Sequence, residues 1–199
     1  PGQIEGCLAE YLVMPEQSCY PIPEGMTLTR AALSEPLAIG VYATRSAGPL
    51  TGVKAGILGA GPIGLSVMAA ALNAGAATIF VTDVLDYRLE AARQAGASWT
   101  GNPTRQDVVH DIAALEPGGL DVVFECCGQQ EALDQGIELL RPGGRLLIVG
   151  IPEVDRVSFS IDSLRRKELT VQNVRRQNHC VQPTLDALAA NTMNVDYFV

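Results

Sequence analysis

The feature that most constrains this chain is the run Gly59-Ala60-Gly61-Pro62-Ile63-Gly64, called the glycine turn here, together with its flanks. The apolar segment ahead of it predicts a buried strand at 54–59, and the apolar segment behind it predicts a helix at 62–74. A second strand is predicted at 78–83, with Asp83 at its carboxyl end. Strand, turn, helix, strand and acid in this order are typical of a dinucleotide-binding βαβ unit.

Each position in the glycine turn has a separate predicted role. Gly59 permits a tight turn out of the strand, Gly61 lets the backbone approach a pyrophosphate, and Gly64 lets the helix pack closely. Pro62 suits the first helical position, because its missing N–H would be unpaired there in any case. The remaining free N–H groups and the helix dipole then favour an anion such as pyrophosphate.

Asp83 indicates which nucleotide the turn is expected to bind. It lies 19 residues after Gly64, near the spacing of about 20 expected for an acid that hydrogen-bonds the adenosine ribose. A carboxylate there repels a 2′-phosphate, so NAD is favoured over NADP, while nearby Arg88 weakens that preference slightly. S-adenosylmethionine is the runner-up ligand, but it has no pyrophosphate. The remaining alternative is a chance match in a chain with 20 glycines.

The rest of the chain predicts a regular alternation of strands and helices. Further strands are predicted at 96–100, 121–126, 145–150 and 168–174. Helices are predicted at 85–95, 104–115, 129–140 and 181–190, with a helical turn at 29–34 and a helix from Pro36 to about Ser46.

This alternation predicts an α/β fold with a doubly wound, parallel, six-stranded Rossmann sheet. The strands at 121–126 and 145–150 are continuous apolar runs, as expected where helices cover both faces of a parallel sheet. The ligand crevice of such a sheet lies at the carboxyl ends of its strands. Cys127, Gly128 and the Gly150-Ile151 pair fall there, next to the expected place of a nicotinamide.

Composition narrows the partners and the compartment. The formal charge is −8, and no basic cluster exceeds Arg165-Arg166-Lys167, predicted as a surface loop, so neither nucleic acid nor a membrane is an expected partner. Five scattered cysteines do not form a disulfide framework, which favours a cytoplasmic location. The sequence has no Cys-x-x-Cys, and its two histidines, His110 and His179, suggest no metal site.

Several further segments, in their order and spacing, resemble one known family. They are Gly6-x-x-Ala9-Glu10-Tyr11 with Pro15, Ala31-Ala32-Leu33-Ser34-Glu35-Pro36-Leu37, the glycine turn with Asp83 and Arg88, Glu125-Cys126-Cys127-Gly128, Val149-Gly150-Ile151 and Asn173-Val174-Arg175. Together they resemble the zinc-type medium-chain dehydrogenases, most closely the sorbitol (polyol) dehydrogenase branch, over nearly the whole chain. The threonine dehydrogenase branch, which also shows Glu-Pro-Leu, is the nearest enzymatic alternative.

The resemblance implies hydride transfer from a secondary alcohol to NAD, with zinc as the Lewis acid. It places Glu35 at the zinc site, as a ligand or bound to the metal's water, and Arg175 against substrate hydroxyls. Arg176 stands where the polyol branch usually has tyrosine. Together with the glycine motif, the resemblance gives these candidate cofactor-binding residues: Gly59, Gly61, Pro62, Ile63, Gly64, Asp83, Arg88, Cys127, Gly128, Val149, Gly150, Ile151, Asn173, Val174 and Arg175.

The resemblance also implies a domain division and a limit on activity. Residues 1–35 are expected to be a remnant of a β-rich, GroES-like catalytic domain, 36–190 the NAD-binding Rossmann domain, and 191–199 the start of the return to the catalytic domain. The family's other zinc ligands would precede Pro1, so the chain is expected to bind NAD without turnover. A homo-oligomer, dimer or tetramer, is expected by resemblance. A stand-alone NAD-sensing module is the non-enzymatic alternative.

Overall fold

The computed structural model describes residues 6–198; residues 1–5 of the expected N-terminal remnant, and Val199, lie outside this range. The helices are α1 (Leu28–Ala32), α2 (Ser34–Ala47), α3 (Pro62–Asn73), α4 (Asp86–Gln94), α5 (Val108–Leu115), α6 (Gln130–Leu139), α7 (Ile161–Arg166) and α8 (Val181–Ala189). The strands are β1 (Lys54–Leu58), β2 (Thr78–Thr82), β3 (Trp99–Gly101), β4 (Leu120–Glu125), β5 (Leu140–Ile148) and β6 (Thr170–Asn173). Short 3₁₀ helices lie at Glu16–Ser18 and Asp196–Phe198.

The six strands form one parallel sheet in the order β3-β2-β1-β4-β5-β6. The register pairs Ile57 of β1 with Val81 of β2 on one side and with Phe124 of β4 on the other. The order therefore reverses between β1 and β4, which is the topological switch point of a doubly wound sheet. The predicted six-stranded Rossmann fold is confirmed.

Alternate residues of the central strands point into two separate cores, one on each face of the sheet. Ile57 packs with residues of α2 and α3, whereas Leu58 packs with residues of α5 and α6. Both residues are fully buried, and so is Phe124 on the first face. Burial on both faces explains why these strands are continuous apolar runs in the sequence.

The N-terminal part of the described chain contains helices and no strand. Between residues 6 and 53 the elements are one 3₁₀ helix, α1 and α2. The described part of the expected β-rich remnant, residues 6–35, therefore contains no strand. Tyr11 and Val13 are exposed, while Leu37 of α2 is buried in a third core with residues of α3 and α8.

Two predicted boundaries and one predicted loop differ from the structure for local reasons. The third strand begins at Trp99 rather than 96, because Gly96, with φ of +106°, closes α4 before the chain extends. Helix α5 begins at Val108 rather than 104, because Asp107 caps it by accepting from the His110 N–H. Of the basic Arg165-Arg166-Lys167 segment, predicted as a loop, the two arginines end α7 and Lys167 is its C-cap.

The last two strands also differ from their predicted bounds. Strand β5 begins at Leu140 rather than 145, ahead of Pro142-Gly143-Gly144, and its register with β4 shifts there. Strand β6 begins at Thr170 rather than 168, because Glu168 has a left-handed φ of +50° that strands do not accommodate. No helix among residues 6–198 is long and apolar enough to cross a membrane.

Helices α2 and α3 are in direct backbone contact at Gly40. A Cβ at this position would lie 2.3 Å from the Ser66 carbonyl oxygen and 2.8 Å from the Val67 nitrogen. Gly40→Ala should therefore force the helices apart and lower the free energy of unfolding by about 2 kcal/mol or more, measured by urea denaturation. Gly118→Ala is the matched control, since a Cβ there meets nothing within 4 Å, and it should not lower stability. Equal losses in both variants would contradict the close contact.

Candidate functional site

All the candidate cofactor residues fall along the carboxyl edge of the sheet. The glycine turn follows β1 and opens α3, and Asp83 follows β2. The other segments are Cys127-Gly128 after β4, Val149-Gly150-Ile151 after β5, and Asn173-Val174-Arg175 at the end of β6. The edge is therefore continuous from Asp83 to Arg175 across five adjacent strands.

The glycine turn is as tight as the sequence predicts. Gly59 has a φ of +102°, and a Cβ there would lie 3.0 Å from the Cys127 Cβ. A Cβ at Gly64 would lie 1.8 Å from the Gly59 carbonyl oxygen, so α3 packs directly on the turn itself. At Gly61 a Cβ would meet only the Arg88 Nη1 atom, at 3.8 Å, which leaves that side of the turn open.

The N-terminus of α3 is suited to an anion. Pro62 is its first residue, and Gly61, the N-cap, has no side chain to accept from the first N–H groups. Helical geometry leaves the N–H groups of Ile63 and Gly64 without an intrahelical acceptor. These donors and the helix dipole favour a negative group beside the open face of Gly61.

Asp83 is fixed by the backbone around it. Its Oδ2 accepts from the Ala60 N–H at 2.7 Å, and its Oδ1 accepts from the Leu85 N–H at 2.9 Å. The residue is only 7% exposed, and the Arg88 Nη1 lies 3.6 Å from Oδ2. Because a carboxylate has about four lone-pair sites, each oxygen can still accept from a ligand hydroxyl.

A cavity of about 580 Å³ lies beside Asp83, between the ends of β2 and β4. It brings together four of the candidate residues: Gly59, Asp83, Arg88 and Cys127. The rest of its lining comes from segments that the sequence reasoning did not single out: Leu58, Thr82, Val84, Pro103, Thr104, Gln129, Glu131, Ala132 and Gln135. Their signal in the sequence is only that they end strands, as Leu58 and Thr82 do, or come after strands at the carboxyl edge.

Glu125 is a buried carboxylate at the end of β4 that the sequence reasoning quoted but did not place in the site. Its Oε1 accepts from the N–H groups of Cys127 at 2.7 Å and Gly128 at 2.6 Å. Its Oε2 finds no hydrogen-bond partner among residues 6–198, and a Cβ at Gly150 would lie 2.7 Å from it. The Glu125 side chain thereby holds the turn after β4, while its backbone carbonyl accepts from the N–H groups of Val149 and Gly150 at the end of β5.

The two thiols beside Glu125 are poor nucleophiles. Burial, and then the negative charge of Glu125, raise the pKa of Cys126 well above its usual value. The same two causes, desolvation first, raise the pKa of Cys127 to about 12, although part of that residue is exposed. Both are protonated thiols at neutral pH, so neither supplies a reactive thiolate.

The candidate residues on the other side of the switch point pack through their backbone. A Cβ at Gly128, which has a φ of +72°, would lie 2.5 Å from the Ile151 carbonyl oxygen. The Val174 N–H donates to the Ile148 carbonyl at 2.8 Å. Val149 and Val174 are buried, whereas Ile151, Asn173 and Arg175 are exposed. Arg176 has a left-handed φ of +55°.

Glu35 lies in the first turn of α2 and is exposed. The helix dipole stabilises an acidic side chain in the first turn of a helix, so the position of Glu35 is explained without a bound metal. No group of three His, Cys, Asp or Glu side chains within residues 6–198 could hold a metal ion. A catalytic zinc needs three protein ligands, so the described residues do not form a zinc site.

The parallel sheet, its switch point and the glycine turn define a Rossmann-type α/β protein. A family model described as zinc-binding dehydrogenase matches residues 62–190, more than half of the chain. The chain belongs to the zinc-binding dehydrogenase family.

Named relatives agree with this assignment. Sorbitol dehydrogenase of Bacillus subtilis is 30% identical over 197 residues, which is 98% of this chain and 56% of the relative. L-threonine 3-dehydrogenase of Pyrococcus abyssi is 38% identical over 172 residues, which is 85% of this chain and 49% of the relative. The chain thus spans about half the length of the curated relatives it matches.

Solved structures share the fold at similar identity. An oxidoreductase/dehydrogenase of unknown specificity from Escherichia coli has a TM-score of 0.92 and 33% identity, over 98% of this chain and 56% of its own. A zinc-binding dehydrogenase from Sinorhizobium meliloti, solved with NADP bound, has a TM-score of 0.84 and 31% identity, over 89% of this chain and 53% of its own.

Glu125→Ala should be strongly destabilising because it leaves the Cys127 and Gly128 N–H groups without an acceptor. At about 1–3 kcal/mol for each unsatisfied group, the free energy of unfolding should fall by about 3 kcal/mol, measured by urea denaturation followed by circular dichroism. Glu125→Gln is the matched control, because its carbonyl oxygen can still accept from both groups, and its loss should be half as large or less. Equal losses would show that the two hydrogen bonds do not hold the turn.

Proposed function

We propose that this chain is the NAD-binding part of a zinc-type dehydrogenase that oxidises a secondary alcohol, of the polyol class. The observation that carries the proposal is the meeting of two features at the switch point of the sheet. One is the uncapped N-terminus of α3 behind an open Gly61, and the other is the buried Asp83 carboxylate beside a 580 Å³ cavity. Similarity to sorbitol dehydrogenase of Bacillus subtilis supports the polyol class.

The two features fit the two parts of the adenosine half of NAD. The Ile63 and Gly64 N–H groups would donate to the pyrophosphate, and the free lone pairs of Asp83 would accept from the ribose hydroxyls. Because Asp83 is nearly buried, its negative charge is poorly screened and disfavours a 2′-phosphate. Arg88, 3.6 Å away, offsets part of that charge.

The other half of the cofactor would lie toward β5 and β6. When bound, NAD supplies the nicotinamide ring that accepts the hydride. The chain's own contribution there is positional: the segments 149–151 and 173–175 would orient the ring, and Arg175 would contact substrate hydroxyls. The bond from the Val174 N–H to the Ile148 carbonyl holds the second segment beside the end of β5, which leads into the first.

NADH should bind the chain at least about tenfold more tightly than NADPH, in line with the unfavourable contact between a 2′-phosphate and Asp83. The measurement is calorimetric titration of each nucleotide. Asp83→Asn should reduce the ratio of the two affinities, and Arg88→Gln should increase it. The ratio is the informative quantity, since Asp83→Asn also disturbs the bonds to Ala60 and Leu85 and lowers both affinities.

A wild-type preference for NADPH would contradict the role proposed for Asp83. An unchanged ratio in both variants would place the adenosine ribose elsewhere. The bound NADP in the Sinorhizobium meliloti structure makes this comparison necessary, since a relative at 31% identity accommodates the 2′-phosphate.

We further propose that the 199-residue chain binds the nucleotide without oxidising alcohol. Within residues 6–198 Glu35 has no companion ligands for zinc, so the Lewis acid that the family's chemistry requires has no complete site there. Mixed with NAD, zinc and either sorbitol or L-threonine, the chain should produce no NADH absorbance above background. A complete sorbitol dehydrogenase under the same conditions is the positive control.

Zinc-dependent NADH formation would overturn the proposed lack of turnover, and the preferred substrate would then separate two candidates. L-threonine oxidation is the second candidate, favoured by the 38% identity to the Pyrococcus abyssi enzyme. The proposed domain division, with 36–190 as the nucleotide-binding part, predicts the same outcome for both substrates.

A homo-oligomer is proposed on the exposure of Ile151 and Val154 after β5, beside the edge strand β6.

A further inference from the structure

Asn102 follows β3 directly and is only 3% exposed, yet every hydrogen-bonding position of its side-chain amide is used. Its Nδ2 donates to the Val84 carbonyl at 3.0 Å and to the Asp86 Oδ1 at 2.9 Å. Its Oδ1 accepts from the Thr104 N–H at 3.0 Å and from the Thr104 hydroxyl at 2.7 Å. A buried amide with four satisfied bonds is a rigid connector, because losing any one of them leaves a buried polar group unpaired.

These four bonds join two separate segments that wall the cavity. Val84 lies in the connection between β2 and α4, Asp86 is the first residue of α4, and Thr104 belongs to the connection between β3 and α5. Val84 and Thr104 both line the cavity, whereas Asn102 itself does not. Asn102 therefore fixes the distance between the two walls from outside the cavity.

The wall that Asn102 holds is the one that carries Asp83. At its start, this wall is anchored by two bonds of Asp83. The Asp83 Oδ1 accepts from the Leu85 N–H, and the Asp83 N–H donates to the Gly101 carbonyl at 3.3 Å. The segment is thus held at both ends, by Asp83 at its start and by Asn102 at Val84 and Asp86. Releasing the Asn102 end would let Val84 move away from Thr104 while the core of the sheet stays intact.

We propose that Asn102 is a positioning residue for nucleotide binding, which sets the width of the adenosine cavity without touching the ligand. The inference rests on the proposed function, since it assigns that cavity to the adenosine half of a dinucleotide. The side chain at this position must donate hydrogen bonds toward Val84 and Asp86 and accept hydrogen bonds from Thr104 at the same time. An acid could accept but not donate. Asparagine supplies both within one planar group.

Asn102→Asp tests this with almost no change in shape. The aspartate keeps an oxygen to accept from Thr104, but it turns the other oxygen toward the Val84 carbonyl and the Asp86 carboxylate, which repel it. The dissociation constant for ADP-ribose, measured by calorimetry on the 199-residue chain, should rise about tenfold or more. ADP-ribose is the probe because it contains the adenosine half and no nicotinamide.

An exchange of the two side chains provides the rescue. In Asn102→Asp/Asp86→Asn the amide at 86 can donate to the acid at 102, so the bond between the connections is restored with reversed polarity. The double variant should recover part of the lost affinity, because the repulsion from Asp86 is removed while the oxygen at 102 still faces the Val84 carbonyl. Asp86→Asn alone is the matched control, because its amide oxygen still accepts from Asn102, although it loses the ion pair with Arg105, and it should bind nearly as the unmodified chain does.

The dissociation constant for ADP-ribose distinguishes a role of Asn102 in positioning from a role in general stability. A variant that is merely less stable, but fully folded at the assay temperature, binds with an unchanged constant. Thr184→Val provides this comparison: Thr184 is buried in α8, away from the cavity, and its hydroxyl donates to the Cys180 carbonyl at 2.6 Å. It should lower the melting temperature and leave ADP-ribose binding unchanged.

Three results would overturn the inference, and they differ in what else they overturn. If the unmodified chain binds ADP-ribose and Asn102→Asp binds it equally well, Asn102 does not position the cavity, and the proposed function stands. If the unmodified chain does not bind ADP-ribose at all, the proposed function fails and this inference fails with it. A weakened Asn102→Asp that the exchange with Asp86 does not rescue would also reject the proposed connection.

Discussion

The carboxyl edge of this sheet depends on how sharply the chain turns from β1 into α3. With no side chain at Gly59 or Gly64, the first turn of the helix rests on the backbone of the turn itself. That contact fixes where the Ala60 N–H points, and Asp83 accepts from it at 2.7 Å. The ends of the two neighbouring strands are thereby joined by one short bond, and the cavity opens beside them.

The sequence was sufficient for the architecture because the two strongest signals in it are local. Apolar runs long enough for strands covered on both faces, separated by helices, predicted the six-stranded sheet, and the spacing from Gly64 to Asp83 placed the acid at the strand end. Boundaries were less predictable. Gly96 and Asp107 decide where β3 begins and where α5 begins, and each acts through a backbone bond or dihedral that a hydrophobic pattern does not record.

The residues of the candidate site also fall into those that the sequence could identify and those that it could not. Residues that belong to a motif, such as Gly59 and Asp83, could be named from the sequence and lie at the cavity. Glu125 and Asn102 could not be assigned their structural roles, because each role is defined by partners across turns: Cys127 and Gly128 for the acid, Val84, Asp86 and Thr104 for the amide. A zinc site was expected from the resemblance alone, and Glu35 is its single representative among residues 6–198.

Both buried acids of the edge, Asp83 and Glu125, hold backbone N–H groups, and only Asp83 lies near a cationic side chain. Short contacts of this kind within the protein interior are little affected by dissolved ions, whereas attraction between a helix terminus and a phosphate in solvent is screened over a Debye length of about 8 Å at physiological ionic strength. The shape of the cavity is therefore nearly independent of salt, while the capture of a charged nucleotide is not. Ionic strength acts on the occupancy of this site and leaves its architecture in place.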